Sequence, residues 1–386
     1  MKTDTTLIHF GRGDQSLEVR SVNPTVMRAS TILFKDHATW QKYRELRKTE
    51  RVLSYGARGT TTNFELEKLV CKLEKGYRAQ LFPTGLAALA MVLLNYAESN
   101  AHFLITDGIY GPVRSICNNF LKRINVEIDF LKADASDVEQ KIKPNTKLIL
   151  CESSGSILYE VIDLPKLCEI AHKHSIPVAI DNTYSSGYLL NPLELGADIS
   201  VIAATKYLSG HSDVTMGIAV VNQKEWKNFD KLPEMFGFTT SPDDAYLVLR
   251  GIRTLSVRMH KHEQSADQIV SFLKTRSEIK NIFYPKLASH LNHEIFMRDY
   301  KGTNGMITIE FDKNISKDSV IKFIDNLELF SIGASWGGYE SLATQTIPPR
   351  TEEDLSKSGV FVRFHIGLGD PEDLIEDIKN SLDVLK

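Results

Sequence analysis

Of the 386 residues only four are cysteine, and no two of them stand in a C-x-x-C pair. A disulfide framework or a structural zinc site needs such spacing or a denser set. Cys71, Cys117, Cys151 and Cys168 therefore read as free thiols, Cys151 and Cys168 as small core residues. The pairs His172/His174 and His260/His262 are two apart, a spacing that puts the rings on different faces of a helix, so no metal site is expected. No basic tract stands out and the net charge is −3, which argues against a nucleic-acid partner. The longest apolar stretch, 86–97, is too short to span a bilayer and is broken by Asn95, so no membrane partner is expected. Residues 1–6 carry no apolar signal core, which leaves the cytoplasm as the expected location. Internal repeats and low-complexity segments are absent. No G-x-G-x-x-G follows the first expected strand, which argues against a nicotinamide dehydrogenase. Neither Ser153-Ser154-Gly155-Ser156 nor Tyr184-Ser185-Ser186-Gly187 fits the G-x-S-x-G nucleophile elbow of a serine hydrolase.

What is present is an ordinary soluble composition, 42% hydrophobic and 25% charged, in a chain longer than one core usually serves. Three units are expected: an irregular arm over 1–59, a large domain over 60–250 and a smaller one over 251–386. In the second, helical periodicity at 64–73, 86–96, 110–121 and 164–174 alternates with short apolar runs at 79–82, 102–106, 126–131, 147–151, 176–181, 199–202 and 216–221. Strands alternating with helices predict an α/β domain, a mostly parallel sheet covered on both faces. A long helix over 243–274 leads into the third unit. There, strands at 308–311, 329–332 and 360–366 with helices at 315–326 and 371–385 predict a smaller α+β domain.

The segment Ala204-Thr205-Lys206-Tyr207-Leu208-Ser209-Gly210-His211 places one lysine just past the apolar run 199–202. Burial there would lower the amine's pKa and make it nucleophilic, the state in which a lysine holds a carbonyl cofactor. Upstream, 176–181 is an apolar run ending on Asp181, and ligands bind at the carboxyl ends of such strands. An acid and a lysine on neighbouring strand ends suit pyridoxal phosphate: an imine to the lysine, and a carboxylate on the pyridine nitrogen. Pro83-Thr84-Gly85-Leu86 is a strand–turn–helix junction, able to take a phosphate on its free N–H groups or to be a plain helix cap. Tyr110, in a turn at a strand end, reads equally as a ring stacked on the cofactor or as a core aromatic. Arg363, mid-strand among apolar residues, needs an anion, either a substrate carboxylate or an internal acid. The Thr205 hydroxyl is within reach of a phosphate oxygen.

Together these segments resemble the Cys/Met-metabolism family of pyridoxal-phosphate enzymes over nearly the whole chain. Asp181-Asn182-Thr183 and Ala204-Thr205-Lys206-Tyr207-Leu208-Ser209-Gly210-His211-Ser212-Asp213 are similar to its cofactor segments. Val22-Asn23-Pro24-Thr25-Val26-Met27-Arg28-Ala29-Ser30 resembles its amino-terminal arm. Ser335-Trp336-Gly337-Gly338-Tyr339-Glu340-Ser341-Leu342 and Arg363-Phe364-His365-Ile366-Gly367-Leu368 resemble its substrate-side segments. Trp336 and the run Glu152-Ser153-Ser154-Gly155-Ser156 are similar to the bacterial β-lyase branch rather than to the γ-acting branch. The resemblance implies a fold-type-I, transferase-like architecture with a seven-stranded sheet, and a homotetramer built as a dimer of dimers. It makes Lys206 the Schiff-base lysine and proton shuttle and puts Asp181 on the pyridine nitrogen. Gly85, Leu86 and Thr205 would hold the phosphate, Tyr110 would stack on the ring and assist proton transfer, and Arg363 with Ser335 would take the α-carboxylate. Tyr55 and Arg58 would reach the phosphate of a neighbouring subunit. The reaction implied is β-elimination on a sulfur amino acid, L-cystathionine giving homocysteine, pyruvate and ammonia.

Three departures bear on this. Ala57 stands where the family's cross-subunit pair has its arginine, and Arg58 aligns with a second arginine of β-lyases. Ala334 stands where β-lyases often have tyrosine and γ-enzymes glutamate, which keeps a γ-acting member or a C–S lyase of specialised substrate as alternatives. Ser154 replaces a common proline. A binding protein with a relict site is the non-enzyme alternative.

Overall fold

The computed structural model describes residues 1–229 and 232–385. Seven strands form the large sheet: β1 (Arg78–Phe82), β2 (His102–Thr106), β3 (Glu127–Leu131), β4 (Thr146–Glu152), β5 (Val178–Asp181), β6 (Ile199–Ala203) and β7 (Gly217–Val221). Their order is β1-β7-β6-β5-β4-β2-β3. From β6 to β3 every pairing is parallel, while β7 runs antiparallel to both β6 and β1. The sheet is thus mostly parallel, as the alternation of patterns predicts.

The apolar runs are continuous because both faces are covered. With a side-chain period of two, Ile149, Cys151, Val178, Ile180, Ile202 and Val220 face one core with Leu66, Leu69 and Leu73 of helix Thr61–Glu74. Their alternates Leu148, Leu150, Ala179, Val201 and Ala219 face a second core with Ala88, Leu89 and Val92 of helix Gly85–Tyr96.

Four further strands, β8 (Ile279–Phe283), β9 (Met306–Phe311), β10 (Leu342–Thr346) and β11 (Phe361–His365), make an antiparallel sheet in the order β10-β11-β9-β8. Its core joins Ile307, Ile309, Phe311, Val362 and Phe364 to helices Leu255–Leu273, Lys317–Asp325 and Pro371–Leu382.

Several elements differ from the expectation. The long helix over 243–274 is two helices, Pro242–Ile252 and Leu255–Leu273. At the break, Arg253 donates to the carbonyls of Leu7, Phe10 and Gly11, so the joint carries the first residues of the chain. The segment 329–332 is no strand: Ser331 makes one isolated bridge with Leu342, and Leu329 and Ile332 lie exposed. Helix 110–121 is broken into Gly111–Ser115, a wide π turn at Ile116–Phe120 and a 3-10 turn at Leu121–Ile124. The arm holds two helices, Thr3–His9 and His37–Leu46. Among the described residues no helix is long and apolar enough to cross a membrane.

Candidate active site

The carboxyl ends of β2, β4, β5 and β6 lie side by side. Each delivers one group to a common edge: Tyr110 past β2, Glu152 on β4, Asp181 on β5 and Lys206 just past β6. Asp181 is buried. Its Oδ1 accepts bonds from the Thr183 amide (3.0 Å) and hydroxyl (2.5 Å). Burial raises its pKa, opposed by those bonds and by the Lys206 charge. Among the described residues no donor meets Oδ2.

Lys206 lies in the loop between β6 and β7. The loop is closed by the Thr205 hydroxyl, which donates to Met216 O (3.3 Å) and accepts from Met216 N (2.9 Å). Burial first, then the Arg363 guanidinium, lower the amine's pKa to about 8, against the attraction of Asp181. The amine donates to Ser335 Oγ at 2.5 Å and lies 5.2 Å from the Trp336 ring centre.

Arg363 comes from β11, and its Nη2 donates to Ser335 O at 3.2 Å. Ser335 therefore holds the amine with its hydroxyl and the guanidinium with its carbonyl. Its φ of +82° is a left-handed conformation that a serine rarely adopts, so the corner is fixed by its surroundings.

Gly85 opens helix Gly85–Tyr96 under a Thr84 cap that accepts from Ala87 N at 3.0 Å. A Cβ on Gly85 would stand 2.6 Å from that of Ala203, so glycine lets the helix end meet β6. The Gly85 and Leu86 amides have no intrahelical acceptor. Tyr110 is 43% exposed, so the core-aromatic reading does not hold. Tyr55 and Arg58 lie elsewhere. They line a cavity of about 930 Å³ with Arg47, Arg51 and Arg78, and none of Lys206, Asp181, Tyr110 or Arg363 lines it. Arg58 pairs there with Glu234.

A fourth group at the edge, Glu152, is not among the residues that the sequence pattern singles out. Glu152 pairs in register with Asp181, and its Oε2 accepts from the Tyr110 amide at 2.6 Å. Burial, then the neighbouring Asp181 charge, raise its pKa well above the usual carboxylate range. The signal was available: like Asp181, it is an acid closing an apolar run. The Ser153–Ser154 peptide beyond it is cis.

Behind the site, Glu74 is fully buried and accepts from the Asn182 amide at 2.9 Å. Burial raises its pKa from 4.5 to about 7. The folded protein thus binds a proton there that the unfolded chain releases above 4.5. That contribution to stability is whole below pH 4.5, falls by about 1.4 kcal/mol per pH unit, and is gone above 7. Glu74→Gln should abolish this part of the pH dependence, read as melting temperature against pH for the two proteins.

The chain matches the family described as Cys/Met metabolism PLP-dependent enzyme over residues 4–383. It is 36% identical to a cystathionine beta-lyase of Haemophilus influenzae, covering 97% of this chain and 96% of that one. It is also 33% identical to an L-alanine/L-glutamate racemase of Wolbachia pipientis wMel, covering 99% and 97%. The crystal structure of metB from Corynebacterium glutamicum superposes with a TM-score of 0.91 at 30% identity, covering 100% of this chain and 99% of that one. The fold is that of a pyridoxal-phosphate enzyme. The chain belongs to the Cys/Met metabolism family of such enzymes.

Proposed function

We propose that the protein is a carbon–sulfur β-lyase that cleaves L-cystathionine with water to homocysteine, pyruvate and ammonia. The observation that carries the reading is Ser335, on which a depressed-pKa lysine and a carboxylate-binding arginine meet. The residues present fit the family's cofactor. Among the described residues no donor meets Oδ2 of the buried Asp181, Lys206 offers an amine at the same edge, and the Gly85 and Leu86 amides offer a place for the phosphate. When bound, pyridoxal phosphate supplies an aldehyde for the amine and a ring that takes up an electron pair.

In this reading Lys206 Nζ takes the α-proton of the substrate, and the Cβ–S bond breaks with its electrons leaving on sulfur, which is protonated to the thiol. Arg363 binds the α-carboxylate through its guanidinium fork. Ser335 keeps Lys206 and Arg363 in register, Asp181 would hold a proton on the ring nitrogen, and Tyr110 would help hold the ring. The Thr205 hydroxyl, engaged with Met216, is the weaker of the phosphate candidates. Tyr55 and Arg58 act on a neighbouring subunit in a homotetramer, a role that fits the basic cavity that they line and Lys206 does not. A second reading, γ-elimination, is favoured by Ala334, which leaves open the place that tyrosine often fills in β-lyases.

Incubation with L-cystathionine separates these readings. Pyruvate with homocysteine supports the first, and cysteine with 2-oxobutanoate the second. D-alanine formed from L-alanine, without lyase products, would replace both with racemisation. A direct consequence of the depressed Lys206 pKa is that pyridoxal-phosphate uptake by cofactor-free protein should speed up as pH rises through about 8, followed by visible absorbance.

A further inference from the structure

The corner that carries Ser335 is held by a residue with no role in the reaction described so far. We propose that His365 is a positioning residue that fixes the Ser335–Trp336–Gly337 corner against Lys206 through one hydrogen bond accepted from Gly337 and one donated to Glu340.

His365 lies two residues after Arg363 on β11, so both project from the same face, while Val362 and Phe364 project into the opposite core. The Gly337 amide donates to Nε2 at 3.0 Å, and Nδ1 lies 3.0 Å from Glu340 O. A carbonyl can only accept and an amide can only donate, so the proton is on Nδ1 and Nε2 is bare. One neutral ring thus grips both ends of the turn. Burial, then the neighbouring His262, hold its pKa well below the usual histidine value, in keeping with that neutral state. His262 is itself engaged, with Nδ1 2.7 Å from Ile366 O.

The gripped amide belongs to the residue that touches the lysine segment. Gly337 has φ +88°, and a Cβ on it would stand 2.9 Å from Lys206 C and from Tyr207 N. The corner therefore rests on the lysine's own backbone. The Tyr207 ring fills the space behind, 5.4 Å from Trp336 and 6.1 Å from His365. Arg363 meets the corner at Ser335 O and His365 meets it at Gly337 N, so one strand face fixes both sides of the residue that holds the amine.

The inference rests on the roles proposed above for Ser335 and Arg363, and its test avoids L-cystathionine. Cofactor-loaded wild type, His365→Gln and His365→Asn are compared. Glutamine can place an oxygen where Nε2 accepts; asparagine is too short to do so and keeps a donor for Glu340. The readouts are the pH midpoint of the visible absorbance band and the dissociation constant of L-alanine from its spectral change. His365→Asn should weaken L-alanine binding by about 10-fold, the scale of one lost buried hydrogen bond, and move the midpoint. His365→Gln should leave both near wild type. If asparagine does not fold here, His365→Leu, which fills the space without an acceptor, should show the same losses. The proposal is overturned if the folded variant lacking the acceptor matches wild type in both readouts, or if His365→Gln falls as far as that variant. A wild type inert toward L-cystathionine would sink the lyase reading and leave these readouts usable.

Discussion

Lys206→Ala is expected to lower pyruvate formation from L-cystathionine by about 10⁴-fold or more, because it removes a positioned general base and the cofactor's anchor together. The loss should not come from unfolding. The amine sits largely buried beside Arg363, and both burial and that guanidinium disfavour its charge. Its removal relieves a repulsion and costs one hydrogen bond to Ser335. A melting temperature near wild type with activity gone is the expected pair of results. Activity within a factor of ten of wild type would show that the proton is moved elsewhere and remove the basis of the mechanism.

Asp181→Asn should cost about 10³-fold in turnover, within the range for a group that holds a proton in the transition state. Asparagine is nearly the same shape, and its oxygen can still accept from Thr183 as Oδ1 does. What is lost is the negative charge. The effect should therefore fall on kcat far more than on KM, the pattern of an interaction made in the transition state. An equal loss in both would point to displaced substrate. Glu152, next to Asp181 in register, does not replace it, because its Oε2 is engaged by the Tyr110 amide and burial still disfavours its charge when the Asp181 charge is gone.

The strands of the large sheet were legible because burial on both faces leaves runs of apolar residues, and Asp181 and Lys206 were legible because polar groups end those runs. The two strands missed, β8 and β10, are the two edges of the small sheet. An edge strand packs on one side only, and Leu342-Ala343-Thr344-Gln345-Thr346 carries too few apolar residues to declare itself. Segment 329–332 failed the other way, apolar in sequence but with Leu329 and Ile332 exposed. The helical pattern over 243–274 runs on through the break because the cause lies far off, in carbonyls of residues 7–11 that accept from Arg253. The Ser335 corner depends on a left-handed serine and on contacts between distant segments, and neither has a periodic signature.

The antiparallel turn of β7 onto β6 bears on how the molecule is made. The loop carrying Lys206 is closed by a neighbouring pair of strands, complete by Val221, whereas Ser335 lies 114 residues further along. A ribosome adding about 5–20 residues per second takes roughly 6–23 s to cross that interval. For that time the emerging chain can hold its aspartate and lysine in folded strands with no opposite wall. Half of the site is born open, and the half that carries the guanidinium closes over it last.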